Sequence, residues 1–353
     1  MKYSIIVPVY NRPDEVDELL QSLTEQELKD FEVVIVEDGS QKPCKDVCDK
    51  FADILDLHYY VKENGGPGQA RNYGAERAQG EWLIILDSDV VLPKGYLKAV
   101  EDGLRGERRE ERGEFAAFGG PDASHPSFTP VQKAISYSMT SFFTTGGIRG
   151  GKKKLDKFYP RSFNMGIRRD VYQQLGGFSK MRFGEDIDFS YRIVEAGYNP
   201  QLIPDAWVWH KRRTDFRKFF RQVYNSGIAR INLEKRHPGT LKLVHLLPMV
   251  FTVGVIALIL IAAVARAMIH YDAPNWHTWY WICLLALSPI LFYSLIIFID
   301  SSIKNKSMKV GLLSVPAAFV QLMGYGFGFI ESWWKRCVMK KDEFQAFEKN
   351  FYK

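Results

Sequence analysis

Apolar and polar positions along the first 200 residues fall into alternating blocks that predict strands and helices in turn. "YSIIVPVYN" is a β-branched run that stops at Pro and Asn. "PDEVDELLQSLTEQ" behind it has the spacing of an amphipathic helix. "FEVVIVEDGS" predicts a second strand, ending in acid, Gly and Ser. "LDLHYYVKENGG" and "GEWLIILDSDV" predict a third and a fourth, with "GQARNYGAERAQ" as the helix between them. Buried apolar strands separated by amphipathic helices predict an α/β fold built on a mostly parallel, Rossmann-like sheet. Ligands of such sheets bind beyond the carboxyl ends of the strands. Asn11, Asp38, Asn64, Asp87 and Asp89 all fall at those ends.

The pattern changes in the last third of the chain. "TDFRKFFRQVYNSGIARINLEKRH" mixes Arg and Lys with Phe, Tyr, Ile and Leu at helical spacing, the profile of a helix lying on anionic lipid. Residues 246–265 and 279–299 are each about 20 residues without a charge, enough to span a hydrocarbon core. Trp276, Trp279, Tyr280 and Trp281 supply an interfacial aromatic belt. Residues 310–330 are long enough as well, but Pro316 and four glycines interrupt them. Lys304, Lys306 and Lys309 follow the second run and only Arg266 follows the first, so the positive-inside rule puts the N-terminal domain in the cytoplasm. A third span would carry the basic tail (Lys335, Arg336, Lys340, Lys341) outside. Two spans are therefore expected, and the third run either crosses or is re-entrant or interfacial. The predicted organisation is a catalytic domain over 1–212, a juxtamembrane segment over 213–243, a membrane region of two or three helices over 244–331 and a basic tail over 332–353. This predicts a multi-pass protein of the inner (plasma) membrane.

Composition adds little to this outline. The 353 residues carry a formal charge of +6, and the mean hydropathy of -0.19 averages two unlike halves. A mild basic excess suits phosphate-bearing ligands or an anionic membrane surface, and no nucleic-acid partner is expected. Cys44, Cys48, Cys283 and Cys337 lack the second pair of a zinc site and read as reduced structural cysteines. The first apolar stretch is too short for a signal peptide. The charge-dense 104–115 reads as a solvated helix end or loop, and the Gly- and Lys-rich 144–160 as a loop that could close over a ligand.

Asp87-Ser88-Asp89 sets two acids at the end of a buried strand, where they need a positive partner. Side chains at i and i+2 share a face, so both carboxylates can converge on Mg²⁺ or Mn²⁺, whose shell substrate phosphates complete. Capping of a strand-end turn is the plainer use of such a pair. Asp38 ends a neighbouring strand, and "FGEDIDFSYRI" places Glu185, Asp186 and Asp188 just before a helical run. The helix dipole accounts for one or two of these acids, and a base for a hydroxyl nucleophile would account for the third. "NGGPGQARNYG" is neither a nucleotide-triphosphate loop nor a dinucleotide fingerprint, which removes a nicotinamide oxidoreductase.

"SIIVPVYNRPDEV", "VVIVEDGS", "NGGPGQARNYGAERAQGEWLIILDSD", "RSFNMGIRRDVYQQLGGF" and "GEDIDFSYRIVEAGY" together resemble family 2 glycosyltransferases of the GT-A fold, in matching order over residues 3 to about 212. The resemblance implies a hexosyltransferase using a UDP-, GDP- or dTDP-sugar. It implies that Asp38 hydrogen-bonds the nucleotide base with Pro8 and Tyr10 beside it, and that Asp87 approaches the ribose or metal. Asp89 would hold Mg²⁺ or Mn²⁺ on the diphosphate. Arg71 would face the diphosphate or sugar, and Asn164 and Met165 would flank the donor sugar and acceptor. Asp186 would be the general base, with Glu185 beside it, and His210 would lie near metal or diphosphate. Processive synthases of the family carry Gln-x-x-Arg-Trp before their membrane segments. Here "RQVYNSGIAR" lacks it, which implies transfer of single sugars. The expected enzyme is thus an inverting, metal-dependent glycosyltransferase of cell-surface glycan synthesis with a lipid-linked acceptor. The alternatives are a synthase that loads sugar onto a polyprenyl phosphate and, from another class, an inactive membrane scaffold.

Overall fold

A computed structural model describes residues 1–106, 114–125, 127–146, 158–271, 274–344 and 346. Most of the 104–115 and 144–160 stretches therefore lies outside the described residues. In chain order the elements are β1 (Tyr3–Val9), α1 (Pro13–Thr24), β2 (Phe31–Asp38), α2 (Lys45–Phe51), β3 (Leu57–Lys62), α3 (Pro67–Ala75), β4 (Trp82–Leu86), β5 (Val90–Val91) and α4 (Tyr96–Gly106). There follow β6 (Ala117–Gly119), β7 (Asp122–Ala123), α5 (Pro130–Thr140), α6 (Phe142–Thr145), β8 (Asn164–Arg168), α7 (Arg169–Gln174), α8 (Glu185–Glu195), β9 (Gln201–Leu202) and β10 (Val208–His210). The chain ends in α9 (Phe216–Arg236), α10 (Leu247–His270), α11 (Trp276–Asn305) and α12 (Met308–Trp333). Packing divides it into two units, Met1–Pro126 with Lys152–Lys211, and Ser127–Gly151 with Arg212–Lys353.

The first unit is built on a seven-stranded sheet in the order β3-β2-β1-β4-β8-β6-β9. β1 to β4 run parallel and β8 is antiparallel to both neighbours. The pleat sends Ile5 and Val7 to one face, against Leu19, Leu20 and Leu23 of α1, and Ile6 to the other, against Ala70 of α3. Burial on both faces explains why the strands read as unbroken apolar runs rather than alternating ones. Each fully buried Leu or Ile contributes about 2 kcal/mol. Gly74 lets α3 lie close on the sheet, since a Cβ there would be 2.8 Å from Ile6 Cγ2. A second sheet, β5-β10-β7, is short but draws three distant stretches of sequence together.

The second unit is helical. Leu243–His270, Trp276–Asn305 and Met308–Val338 are long and apolar enough to cross a membrane. Pro316 and the glycines do not break the third, because α12 runs through them as one helix. The glycines are instead where other helices press in. A Cβ on Gly328 would lie 2.0 Å from the Tyr224 carbonyl oxygen, and one on Gly326 would lie 2.1 Å from Thr252 Oγ1. Small residues at such crossings bring backbones together, which a sequence pattern alone reads as weakness. The basic helix expected on lipid is α9, and its apolar side (Phe219, Val223, Gly227, Ile228) is buried, packed largely along α12.

Candidate active site

Asp87-Ser88-Asp89 lies in the turn joining β4 to β5, not in either strand. The two carboxylates converge because the chain turns there, with Val90 N–H donating to the Asp87 carbonyl, rather than because of the period-two pleat. β10 then pairs antiparallel with β5, His210 opposite Val90, and parallel with β7, Val208 opposite Asp122. The small sheet thereby brings His210 to Asp89 from more than a hundred residues away. Asp87, Asp89 and His210 each offer a ligand atom, and these atoms lie within 4.8 Å of one another.

His210 Nε2 is 3.2 Å from Asp89 Oδ1, and its Nδ1 is 3.8 Å from Asp122 Oδ2, too far for a hydrogen bond. Arg12, just before α1, donates to the other Asp89 oxygen at 2.6 Å. Burial alone would lower the His210 pKa, but the charges of Asp89, Asp122 and Asp87 outweigh it and lift it to about 9. Asp89 is thus held by two cationic groups of the chain itself. Two carboxylates and an imidazole with a spare buried nitrogen suit a divalent ion such as Mn²⁺, so the donor set fits the expected metal.

Arg71 projects from α3 and is 3% exposed. One guanidinium nitrogen donates to Asp87 Oδ1 at 2.8 Å, another to Glu185 Oε1 at 2.9 Å. Gly68, one turn before, leaves room for α8, since a Cβ there would be 3.3 Å from Glu185 Cγ. Gly184 takes the left-handed conformation that starts α8, and Glu185, Asp186 and Asp188 fill its buried first turn. Asp188 pairs with Arg192 one turn on, at 3.1 Å, which is a structural use. Asp186 accepts from Arg161 Nε at 2.6 Å. Burial pushes both members of the Glu185–Asp186 pair up. Arg161, helped by Arg71 and the Ile187 N–H, more than reverses this for Asp186, which stays below the usual carboxylate range. Glu185, raised further by the Asp186 charge and only partly relieved by Arg71, reaches about 7.

Asp38 ends β2, two strands from β4. Lys62 Nζ and Gly65 N–H donate to one of its oxygens and Gly66 N–H to the other, each at 2.8 Å. The "NGG" glycines thus deliver backbone donors to Asp38 as they turn into α3. Pro8 and Tyr10, at and just past the end of β1, are half-buried. Asn164 differs from the other expected site residues. Its amide is fully buried, accepting from Tyr96 OH at 2.7 Å and donating to the Ala206 carbonyl at 2.8 Å. It joins β8 to the core instead of presenting a polar group to a donor sugar, and Met165 beside it is also fully buried. Arg12, Arg161 and Asp122 escaped the sequence reading. Arg12 and Arg161 sit inside stretches already recognised ("YNRPDE", "RSFNMG"), whereas nothing in the sequence marks Asp122.

Residues 4–176 match Glycosyl transferase family 2, and the chain carries a domain of that family on a GT-A fold. Over 102 residues it is 39% identical to the poly(ribitol-phosphate) beta-N-acetylglucosaminyltransferase TarS of Staphylococcus aureus, covering 28% of this chain but only 18% of TarS. It is 26% identical over 240 residues to the glycosyltransferase AglE of Haloferax volcanii, covering 65% of this chain and 73% of AglE. Among solved structures it resembles the mannosyltransferase PcManGT from Pyrobaculum calidifontis, in complex with GDP-Man and Mn²⁺. That match has 16% identity and a TM-score of 0.55 and covers 95% of this chain and 88% of the other.

Proposed function

We propose that this protein is a membrane-anchored, metal-dependent, inverting glycosyltransferase acting at the cytoplasmic face of the plasma membrane. It moves one sugar from a nucleotide-sugar donor to a lipid-linked acceptor in cell-surface glycan synthesis. The observation that carries the reading is the approach of Asp87, Asp89 and His210 to within 4.8 Å. Arg71 ties that cluster to the acids at the head of α8.

Asp87, Asp89 and His210 would hold Mg²⁺ or Mn²⁺, which when bound neutralises charge on a departing diphosphate. Asp38, at a strand end, would hydrogen-bond the nucleotide base, with Pro8 and Tyr10 beside it. Arg71 fixes Asp87 and Glu185 relative to each other, so the donor end and the acceptor end of the site share one rigid link. Asp186 is held ionised, the state in which a base accepts the acceptor hydroxyl's proton. Attack from the face opposite the leaving group inverts the anomeric centre.

Membranes carrying the enzyme, given native lipids and a panel of UDP-, GDP- and dTDP-sugars with Mn²⁺ or Mg²⁺, should release nucleotide from one donor. Consumption of none would end the enzyme reading. D89A and D186N should each lower turnover at least about a thousandfold, the scale of losing a principal catalytic group. Calorimetry should separate them, because only D89A loses metal-dependent nucleotide binding. A monosaccharide-phosphate-lipid product, rather than a lengthened glycan-lipid, would reassign the acceptor to a polyprenyl phosphate.

A further inference from the structure

The third apolar helix is long enough to span a bilayer, yet its packing describes another role. α12 runs alongside α9 in the same direction. Phe216 packs beside Leu313 and Ala317, Val223 meets Gly324, Tyr224 meets Gly328, and Ser332 donates to the Ile228 carbonyl at 3.2 Å. Beyond α12 the described residues of the tail stay on the same partner. Asn232 donates to the Phe344 carbonyl, Arg236 pairs with Glu343 at 2.8 Å, and Ala346 N–H donates to Asn225. α9 carries Arg217, Lys218, Arg221, Arg230, Lys235 and Arg236. A helix so charged does not cross hydrocarbon, and it follows the catalytic unit after only Arg212–Asp215.

The path of α12 over the α10–α11 pair agrees. Gly311 lies against Ser302, Phe319 against Tyr293 and Phe251, and Gly326 against Thr252 and the Pro248 carbonyl. These contacts run from the second half of α11 to the first turns of α10. Those are the halves of an antiparallel pair that lie toward one side of a membrane. Neighbours bury 44% of the most apolar window of the third candidate span, against 17% and 11% for the first two.

We infer that α12 does not cross the membrane. Together with α9 it forms a platform in the plane of the cytoplasmic interface, its basic residues toward anionic headgroups, and only α10 and α11 span. The basic tail then stays on the cytoplasmic side, in accord with the positive-inside rule that a third span would break. The inference rests on the proposed membrane anchoring.

The full chain, with Cys283 and Cys337 replaced by Ser, would carry either His277→Cys or Lys341→Cys. Spheroplasts of the expression host would be treated with a membrane-impermeant maleimide before and after permeabilisation. We expect His277→Cys to label at once and Lys341→Cys to label at least tenfold more after permeabilisation. Equal labelling of both in sealed spheroplasts would overturn the inference and leave the anchoring intact. Failure of both to label while sealed, with the chain released by alkaline carbonate, would overturn the anchoring and the inference with it.

Discussion

The two units bury polar groups in different ways. The first keeps its surface largely polar and buries charged side chains, several of them around the candidate site. Asp38, Arg71, Glu185 and Asp186 are all under 10% exposed, and each is tied to an opposite charge. The second buries hydroxyls and glycines. Ser301 and Ser314 bond each other at 2.7 Å, Ser332 and Thr252 bond helix carbonyls, and glycines mark the crossings. Many large apolar side chains of α10 and α11, Leu260, Val264, Leu285 and Phe292 among them, point outward. Water on the outside makes apolar burial the driving force, and a buried charge then needs an opposite charge or hydrogen bonds around it. In the proposed membrane setting, lipid on the outside would remove that force, leaving close packing and short hydrogen bonds between helices.

The contrast breaks most visibly at Arg71. R71A strands Asp87 and Glu185 beside each other without their shared cation and should cost about 3–5 kcal/mol, the scale for removing one member of a buried ion pair. K98A, on an exposed lysine of the same unit, should cost under about 0.5 kcal/mol. Urea unfolding followed by Trp fluorescence in detergent compares them, and equal losses would mean that the Arg71 bridge is no more than a surface pair. In the second unit the matching change is a gain of bulk. G328L drives a side chain into the Tyr224 carbonyl and should cost about 1–3 kcal/mol by overpacking. Leu at Gly254, where a Cβ meets nothing within 4 Å, should be nearly neutral in thermal unfolding.

The strand and helix blocks of the first unit were legible because their apolar periods are strong and local. β1 to β4, α1 and α3 fall where "SIIVPV", "FEVVIV", "LHYYV" and "WLIIL" and the segments between them predict. The acids were legible as chemistry, but their geometry was not. The convergence of Asp87 and Asp89 depends on a turn, and that of His210 on a three-stranded sheet whose longest member has three residues, too short to carry a period. Asn164 looked functional because a polar residue in a recognised motif invites that reading. Its partners, Tyr96 and Ala206, lie 68 and 42 residues away and could not be foreseen. Arg12 and Arg161 were invisible for a related reason, since the need for a counter-charge appears only once the acids are seen to be buried. In the second unit the glycines of α12 misled, because local propensity counts against the small residues that tertiary packing requires.

A finer test of the contrast lies in pH, because the first unit couples its packing to the proton on His210. His210 is raised from 6.5 to about 9 by Asp89 and Asp122 against the opposing effect of burial. A raised folded pKa stabilises in full below the unfolded value and ceases to do so as pH climbs through the folded one. The metal-free protein should therefore lose stability between about pH 6.5 and 9, as His210 gives up its charge beside Asp89. Metal affinity should move the other way. An imidazole ligates only when neutral, so binding must expel this proton, and the apparent Mn²⁺ affinity should rise by up to about tenfold per pH unit before levelling near pH 9. Calorimetric titration with Mn²⁺ at pH 7, 8 and 9, in buffers of differing ionisation enthalpy, reads both the affinity and the released proton. H210N should flatten the slope, with weaker binding at pH 9. A slope that persists in H210N would assign the proton to another group and take His210 out of the metal site.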